Sequence, residues 1–224
     1  MTAKQFWHKI YIDPRRKRRI RRWGLPMMDA IDRIMTENNV PYSLVFGTLL
    51  GAVREKGFIP HDCDVDMGLW PEVDYSAAFA QMEREGFIKK RDILIDGGKI
   101  AREETWWYHG VYVDFFFFFP EENGSGRRYA VTFYAQDDCR NWTESVRRHG
   151  GLKPMRYFLP FGMETERVPF EDRSYCVTKD ALDFVRQCYG PHWRIPDPTF
   201  VYPRKGETFY YDMPGKIGVL TKYR

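Results

Sequence analysis

Two groups of residues in the first third of the chain have types and spacings that could do chemistry. The first is Gly47-Thr48, where the apolar run Tyr42 to Phe46 breaks at a glycine and passes into Leu49-Leu50-Gly51-Ala52-Val53-Arg54. A strand that turns through glycine into a helix leaves backbone N–H groups unpaired at the helix start, and these favour a phosphate. The second is Asp62, Asp64 and Asp66. Side chains alternate across a strand, so the three carboxylates share one face and Cys63, Val65, Met67 and Leu69 the other. Carboxylates that close raise each other's pKa unless a cation lies between them. Oxygen ligands of this kind suit Mg²⁺ or Mn²⁺, ions that also grip substrate phosphates. Asp62 stands at the strand entrance, where a structural hydrogen bond is as good a reading as a ligand.

A third carboxylate, Asp114, lies in the apolar run Val111 to Phe119. Val111, Val113, Phe115 and Phe117 point one way; Tyr112, Asp114 and Phe116 point the other. A carboxylate there is costly to bury without a partner. If its strand lies beside the Asp64/Asp66 strand, three carboxylates converge. A phosphate turn followed by a cation site suits phosphoryl transfer, which needs mainly positioning and electrostatics. Neither group is specific alone: most Asp-x-Asp sequences are surface loops, and strand-Gly-Thr-helix junctions are common. The five histidines form no Ser/His/Asp or Cys/His arrangement, and the sequence identifies no general base, although a metal-bridging carboxylate such as Asp114 could take the acceptor's proton.

Arg54, Lys56, Lys99 and Arg102 are candidate phosphate partners, or else solvated surface charges. Trp106, Trp107 and Tyr108 could stack on a nucleobase or sugar ring, or pack in the core. His61 could shape a donor pocket or stand in an exposed loop.

The block Gly47-Thr48-Leu49-Leu50-Gly51-Ala52-Val53-Arg54, then Gly57-Phe58-Ile59-Pro60, then Asp62, Asp64 and Asp66 resembles the signature of the LicD / fukutin-related family. Val168-Pro169-Phe170-Glu171, Tyr189-Gly190 and Pro196 are similar to that family's C-terminal segment, so the resemblance spans about Met27 to Pro198. It implies a nucleotidyltransferase-like fold. It also implies metal-dependent transfer of a phospho-alcohol, such as phosphocholine or ribitol phosphate, from a CDP-linked donor to a sugar hydroxyl of a cell-surface glycan, as in lipopolysaccharide or teichoic acid biosynthesis. Gly47 and Thr48 match the donor-phosphate turn, and Asp64 and Asp66 the metal pair. Asp114 is assigned as the third ligand from its own strand pattern. His61 and Cys63 depart from the family's usual residues, which leaves the donor open. Two alternatives stand beside this reading: nucleotidyl transfer with release of pyrophosphate, and a catalytically silent nucleotide- or glycan-binding module.

These residues must be positioned by alternating helices and strands. Met27, Met28, Ile31, Ile34 and Met35 predict a helix from Leu25-Pro26 to about Asn39. A strand over Tyr42 to Phe46 precedes a helix from Leu49 to about Glu55, capped by Thr48. Further strands are expected over Asp62 to Leu69 and Val111 to Phe119, and a hairpin at Asp96-Gly97-Gly98 returns as Lys99 to Trp107. Helices are expected over Pro71 to Gly86, Ala135 to His149 and, capped by Thr178, Lys179 to Tyr189. Arg128 to Tyr134 and Arg167 to Val177 read as strands, and Gly150 to Gly162 as irregular. The order is too uneven for a regular βαβ array, so the expected class is α+β, a mixed sheet flanked by helices. The expected organisation is a basic arm over 1–23, a domain over 24–198 and an extended tail over 199–224.

The net charge of +4 is local. Arg15 to Arg22 reads RRKRRIRR, and without its seven basic residues the chain has 28 basic against 31 acidic side chains. That argues against a nucleic-acid-coating protein. The run reads as a solvated helix face, or as a dock for an anionic membrane or polyanionic glycan. The N-terminus lacks the apolar core of a signal peptide, and the four cysteines form no CxxC pair. A cytoplasmic protein with free thiols, with peripheral membrane association as one reading, is the expectation.

Overall fold

The computed structural model describes residues 13–60, 62–121, 127–197 and 210–223. Helix α1 (Asp13–Glu37) is followed by strand β1 (Ser43–Leu44), helix α2 (Phe46–Arg54), strand β2 (Asp64–Leu69) and helix α3 (Ser76–Arg84). Strands β3 (Ile88–Ile95), β4 (Ala101–Tyr108) and β5 (Val111–Phe117) come next, then β6 (Phe119–Pro120), β7 (Arg128–Tyr134), α4 (Trp142–His149) and β8 (Lys153–Leu159). The hairpin β9 (Thr165–Phe170) and β10 (Arg173–Thr178), helix α5 (Ala181–Tyr189), and strands β11 (Tyr210–Asp212) and β12 (Val219–Lys222) complete the set.

The main sheet has the order β1-β2-β5-β4-β3-β12. Its β2–β5 pair is parallel and its other pairs are antiparallel, so the α+β expectation of a mixed sheet holds. One face is closed by α1 and α3. Met27, Met28, Ile31, Ile34 and Met35 of α1 are fully buried, and Phe79 of α3 stacks on Trp106 at 5.3 Å. The opposite face is covered in part by the sheet β11-β8-β7-β6, whose Val131 and Phe133 pack with Ile93, Ile95 and Ala101. The β9–β10 hairpin leans on β1, where Thr178 N–H donates to Ser43 Oγ at 2.8 Å.

Several expected boundaries move. The first helix begins at Asp13 rather than Leu25, so the basic run is its N-terminal half, and Pro26 lies inside it on the exposed side. Burial of Ile20 and the stack of Trp23 on His109 anchor that half to the domain. The expected strand at Tyr42 to Phe46 shrinks to two residues, because the chain already turns at Phe46. The helices expected over Pro71 to Gly86 and Ala135 to His149 are shorter, beginning at Ser76 and Trp142. Gly150 to Gly162 holds strand β8, paired along its length with β7. Its alternation is masked by Pro154 and Arg156. Where described, the tail adds edge strands to both sheets, β12 against β3 and β11 against β8.

Candidate active site

The parallel pairing of β2 and β5 places Asp66 directly beside Asp114, and Asp64 beside Tyr112. Asp64, Asp66 and Asp114 therefore occupy one face at the N-terminal ends of two adjacent strands. The face continues onto β4 through Thr105, opposite Asp114, and onto β3 through Arg91, opposite Thr105. Asp62 precedes the strand. Its Oδ2 accepts from Ile59 N–H at 3.0 Å, the structural bond that was one of its two readings.

The turn into α2 is shaped by Phe46, whose φ of 44° lies in the left-handed region that an aromatic residue rarely adopts. Its ring is held edge-on against Phe116 at 4.9 Å and Tyr157 at 5.5 Å. This turn aims the Gly47 N–H at Asp66, whose Oδ2 accepts it at 3.1 Å. Thr48 differs from expectation. The residue capping α2 is Val45, without a side-chain bond. Thr48 is buried instead, and its Oγ1 accepts from the Asp66 N–H at 2.9 Å. The turn thus grips Asp66 twice, through its backbone and its side chain.

Asp114 is held from the other side. Its Oδ1 accepts from the Thr105 hydroxyl, and Arg91 donates through Nε to Thr105 Oγ1 at 2.8 Å. The Arg91 Nη2 lies 3.8 Å from Asp114 Oδ1 and 3.7 Å from Glu103 Oε1. Asp66 is drawn toward Gly47 and Asp114 toward Thr105, so the carboxylate trio does not close to mutual ligand distance. Among the described residues, the group whose ligand atoms all lie within 4.8 Å of one another is Asp138, Cys139 and His149, beside α4. That exposed group is already balanced by Arg148, whose Nη2 sits 2.9 Å from Asp138 Oδ2, and it lines no part of the cleft described below.

Burial raises the pKa values of Asp64, Asp66 and Asp114 above the usual carboxylate range; neighbouring carboxylates push Asp64 and Asp66 further up. Burial also pushes Asp62 up to about 7, against the bond from Ile59, and raises Glu103, with Asp114 adding to it. Arg91 and Arg16 pull Asp64 and Asp114 back toward ionisation.

Beside the carboxylates opens a cleft of about 990 Å³. Gly47, Asp62, Asp66 and Arg54 lie at its polar side; Phe46, Phe116 and Trp193 are among its apolar walls. Arg54 donates to Glu55 Oε1 at 2.7 Å and to the Trp193 carbonyl at 3.2 Å, which fixes it at the rim. The other expected phosphate partners are elsewhere. Arg102 points to the opposite face of the sheet, where it donates to Glu104 and lies over the Phe117 ring at 4.3 Å. Lys99 is exposed at the β3–β4 turn, the end of the hairpin remote from Asp64. Trp106 is core, its Nε1 donating to Glu104 at 2.9 Å, and Tyr108 stacks on Phe87 at 4.3 Å. His61 lies outside the described residues. Arg91, Thr105 and Glu103 were missed. The hairpin signal at Asp96-Gly97-Gly98, with Lys99 opening the return strand, would have set Arg91 opposite Glu103; the loop instead runs on to Ile100, which sets Arg91 opposite Thr105.

Among the described residues no helix is long and apolar enough to cross a membrane. An uncharacterized protein of Rickettsia typhi is 36% identical over 76 residues, 33% of this chain and 25% of the relative. An uncharacterized protein of Rickettsia prowazekii is 38% identical over 63 residues, 27% of this chain and 24% of the relative. The chain thus matches about a quarter of the length of these curated relatives. The family model described as LicD/FKTN/FKRP, nucleotidyltransferase domain, matches residues 39–180, which include the Gly47 turn and all three site aspartates. The match takes in well over half of the sequence, and the chain belongs to the LicD/FKTN/FKRP family.

Proposed function

We propose that the chain transfers a phospho-alcohol, phosphocholine-like or polyol-phosphate-like, from a CDP-linked donor to a sugar hydroxyl of a cell-surface glycan. Asp64, Asp66 and Asp114 would hold Mg²⁺ or Mn²⁺. The observation that carries this reading is the side-by-side placing of Asp66 and Asp114 on parallel strands, with the Gly47 turn bonded to Asp66 at the mouth of the cleft. The donor set suits a hard cation in type, three carboxylates on one face whose burial penalises the charge that a cation would offset, and Asp66 and Asp114 would turn from Gly47 and Thr105 to close on it. A bound divalent ion supplies charge neutralisation for donor phosphates and for the leaving nucleotide.

The chain's own residues supply the rest. At the start of α2, Gly47 leaves room for a phosphate beside Asp66, and Arg54 adds positive charge at the rim while bonded to Glu55 and the Trp193 carbonyl. Phe46, Phe116 and Trp193 give the cleft flat apolar walls for a nucleoside or sugar ring and keep water from it. Thr105 and Arg91 orient Asp114, which would take the acceptor's proton.

The test is turnover with Mn²⁺ and a CDP-alcohol panel against glycan acceptors, with CMP release as the readout. Asp64→Ala or Asp66→Ala should abolish release while the fold persists, and near-normal turnover in either refutes the metal assignment. The family description, a nucleotidyltransferase domain, favours one second reading, nucleotidyl transfer. With CTP supplied as the donor instead, release of pyrophosphate and transfer of CMP to the acceptor would establish it.

A further inference from the structure

Arginines elsewhere in the fold are largely paired: Arg167 makes a two-bond fork to Asp32, and Arg33 and Arg173 each meet a carboxylate. The run Arg15 to Arg22 differs. Among the described residues, none of its seven cations pairs with a carboxylate. The run is also no loose tail, since Ile20 is buried, Trp23 stacks on His109 at 4.3 Å, and Arg19 packs over Gly110 in the β4–β5 turn. A cleft of about 440 Å³ opens there, lined by Arg18, Arg19, Arg22, Trp23 and His109, with no acidic residue in its wall among the described residues. Three arginines lining one space, paired with no carboxylate among the described residues, repel one another and favour an anion between them.

The position of this cleft relates it to the candidate active site. One turn earlier in α1, Arg16 lies over the Tyr112 ring at 5.6 Å, and Tyr112 is paired with Asp64 and stands two residues before Asp114 on the same strand face. The arginine cleft therefore lies at the same end of the sheet as the aspartates, with Arg16 between the two.

We propose that the Arg18–Arg19–Arg22 cleft binds a phosphate group carried by the acceptor, so that the accepted substrate is a phosphate-bearing glycan held at one point by these arginines while its hydroxyl reaches Asp64 and Asp114. The phosphotransferase reading above underlies the word acceptor; the anion site itself does not depend on it. The shape favours a glycan phosphate over a lipid surface, because the exposed arginines line a half-open cleft beside the Trp23–His109 stack. Arg forks in such a cleft bind phosphate oxygens in pairs.

Binding measured without donor or turnover tests the site independently of catalysis. The full chain is titrated at low salt with phosphorylated dextran, with unmodified dextran, and with vesicles of equimolar phosphatidylcholine and phosphatidylglycerol. Arg18→Gln/Arg22→Gln is compared with Lys17→Gln/Arg21→Gln, which removes the same charge from residues that do not line this cleft. The expected result is binding of phosphorylated dextran but not of dextran, weakened about tenfold or more in the first variant and much less in the second. Equal loss in both variants would show diffuse attraction and overturn the site. Vesicle binding lost in the first variant while phosphorylated dextran still binds would assign the cleft to a membrane, and absence of wild-type binding would refute it outright. Since Asp64→Ala turnover is read separately, either failure leaves the other result interpretable.

Discussion

Replacing Thr48 by valine separates the role seen in the fold from the role expected of a phosphate-turn threonine. Valine keeps the shape and removes the oxygen that accepts from the Asp66 N–H at 2.9 Å. Thr48 is 1% exposed, so water cannot take over as acceptor. An unsatisfied buried donor costs roughly 1–3 kcal/mol, which for a chain of this size lowers Tm by about 2–4 °C per kcal/mol. The loss falls on the residue that also receives the Gly47 N–H, so Asp66 should shift, and a displacement of a catalytic group by about 1 Å can lower turnover on the order of a hundredfold. Thr48→Ser keeps the oxygen and removes one methyl, a loss of about 1 kcal/mol or less, and should retain most activity. Urea unfolding and CMP release, measured on both variants, decide the matter. If Thr48→Val unfolds at the wild-type midpoint and turns over normally, the hydroxyl does not organise Asp66. If both variants keep wild-type stability and lose activity equally, the Asp66 bond is not what the side chain contributes.

Other outcomes follow from the same geometry. A Cβ at Gly47 would stand 3.4 Å from Asp66 Oδ2 and 3.5 Å from Asp62 Oδ1, so Gly47→Ala should fold with near-native stability yet lose most turnover by filling the space between turn and carboxylates; retained turnover would place the phosphate elsewhere. A Cβ at Gly51 would meet the Gly57 carbonyl oxygen at 2.4 Å, so Gly51→Ala should cost about 1–3 kcal/mol in denaturant unfolding, and an unchanged midpoint would contradict the packing of α2 on the loop that follows it. Burial lifts Asp62 to about 7 and raises Asp64, Asp66, Asp114 and Glu103, whereas unfolded carboxyls ionise near 4. The folded chain therefore holds more protons in that window. The stability these groups contribute is complete below about pH 4 and is lost as pH rises through about 7. With a chelator present, stability should fall from pH 5 to 7.5; Glu103→Gln should flatten the fall, and Mn²⁺ should raise Tm more at pH 7.5 than at 5.5. A pH-independent Mn²⁺ effect would count against carboxylate ligation.

The aspartates were legible because alternation along a strand needs no tertiary knowledge. Asp64 and Asp66 share a face by spacing alone, and Asp114 was conspicuous as a charge among phenylalanines. Strand adjacency, the condition on which their convergence depended, came from the fold. Arg102 illustrates the limit. Its type suited a phosphate, but it is one register step from Glu103, and in a strand that step reverses the face. Thr48 was misread because its side chain could cap its own helix or turn inward to β2, and only the close approach of β2 to α2 chooses between these. The basic run looked like a separate arm because its charge density hides Ile20 and Trp23, the two residues that fasten it. Phe46 gave no warning, since a left-handed aromatic is held by four rings distant in sequence.

The distribution of charge explains how these parts can serve one substrate. Asp64, Asp66, Asp114 and Glu103 form an acidic patch that would repel a phosphate brought near it. Arg91 offsets the patch from the β3 side, but it is already engaged by Thr105, Glu103 and Asp114, and its guanidinium lies over the Trp142 ring at 5.0 Å. It is therefore a fixed counter-charge for the carboxylates and has little left to offer a ligand. Arg54 is similarly committed at the opposite rim. Among the described residues the cations of Arg15 to Arg22 pair with no carboxylate, and Arg16 carries their field to Asp64 and Asp114. A divalent ion would remove the local repulsion and the α1 arginines would supply attraction at longer range, two separable contributions. Added salt weakens the second within a Debye length of about 10 Å at 0.1 M and acts far less on an ion held directly by buried carboxylates. Substrate affinity should accordingly fall with ionic strength while the Mn²⁺ concentration for half-maximal activity changes little.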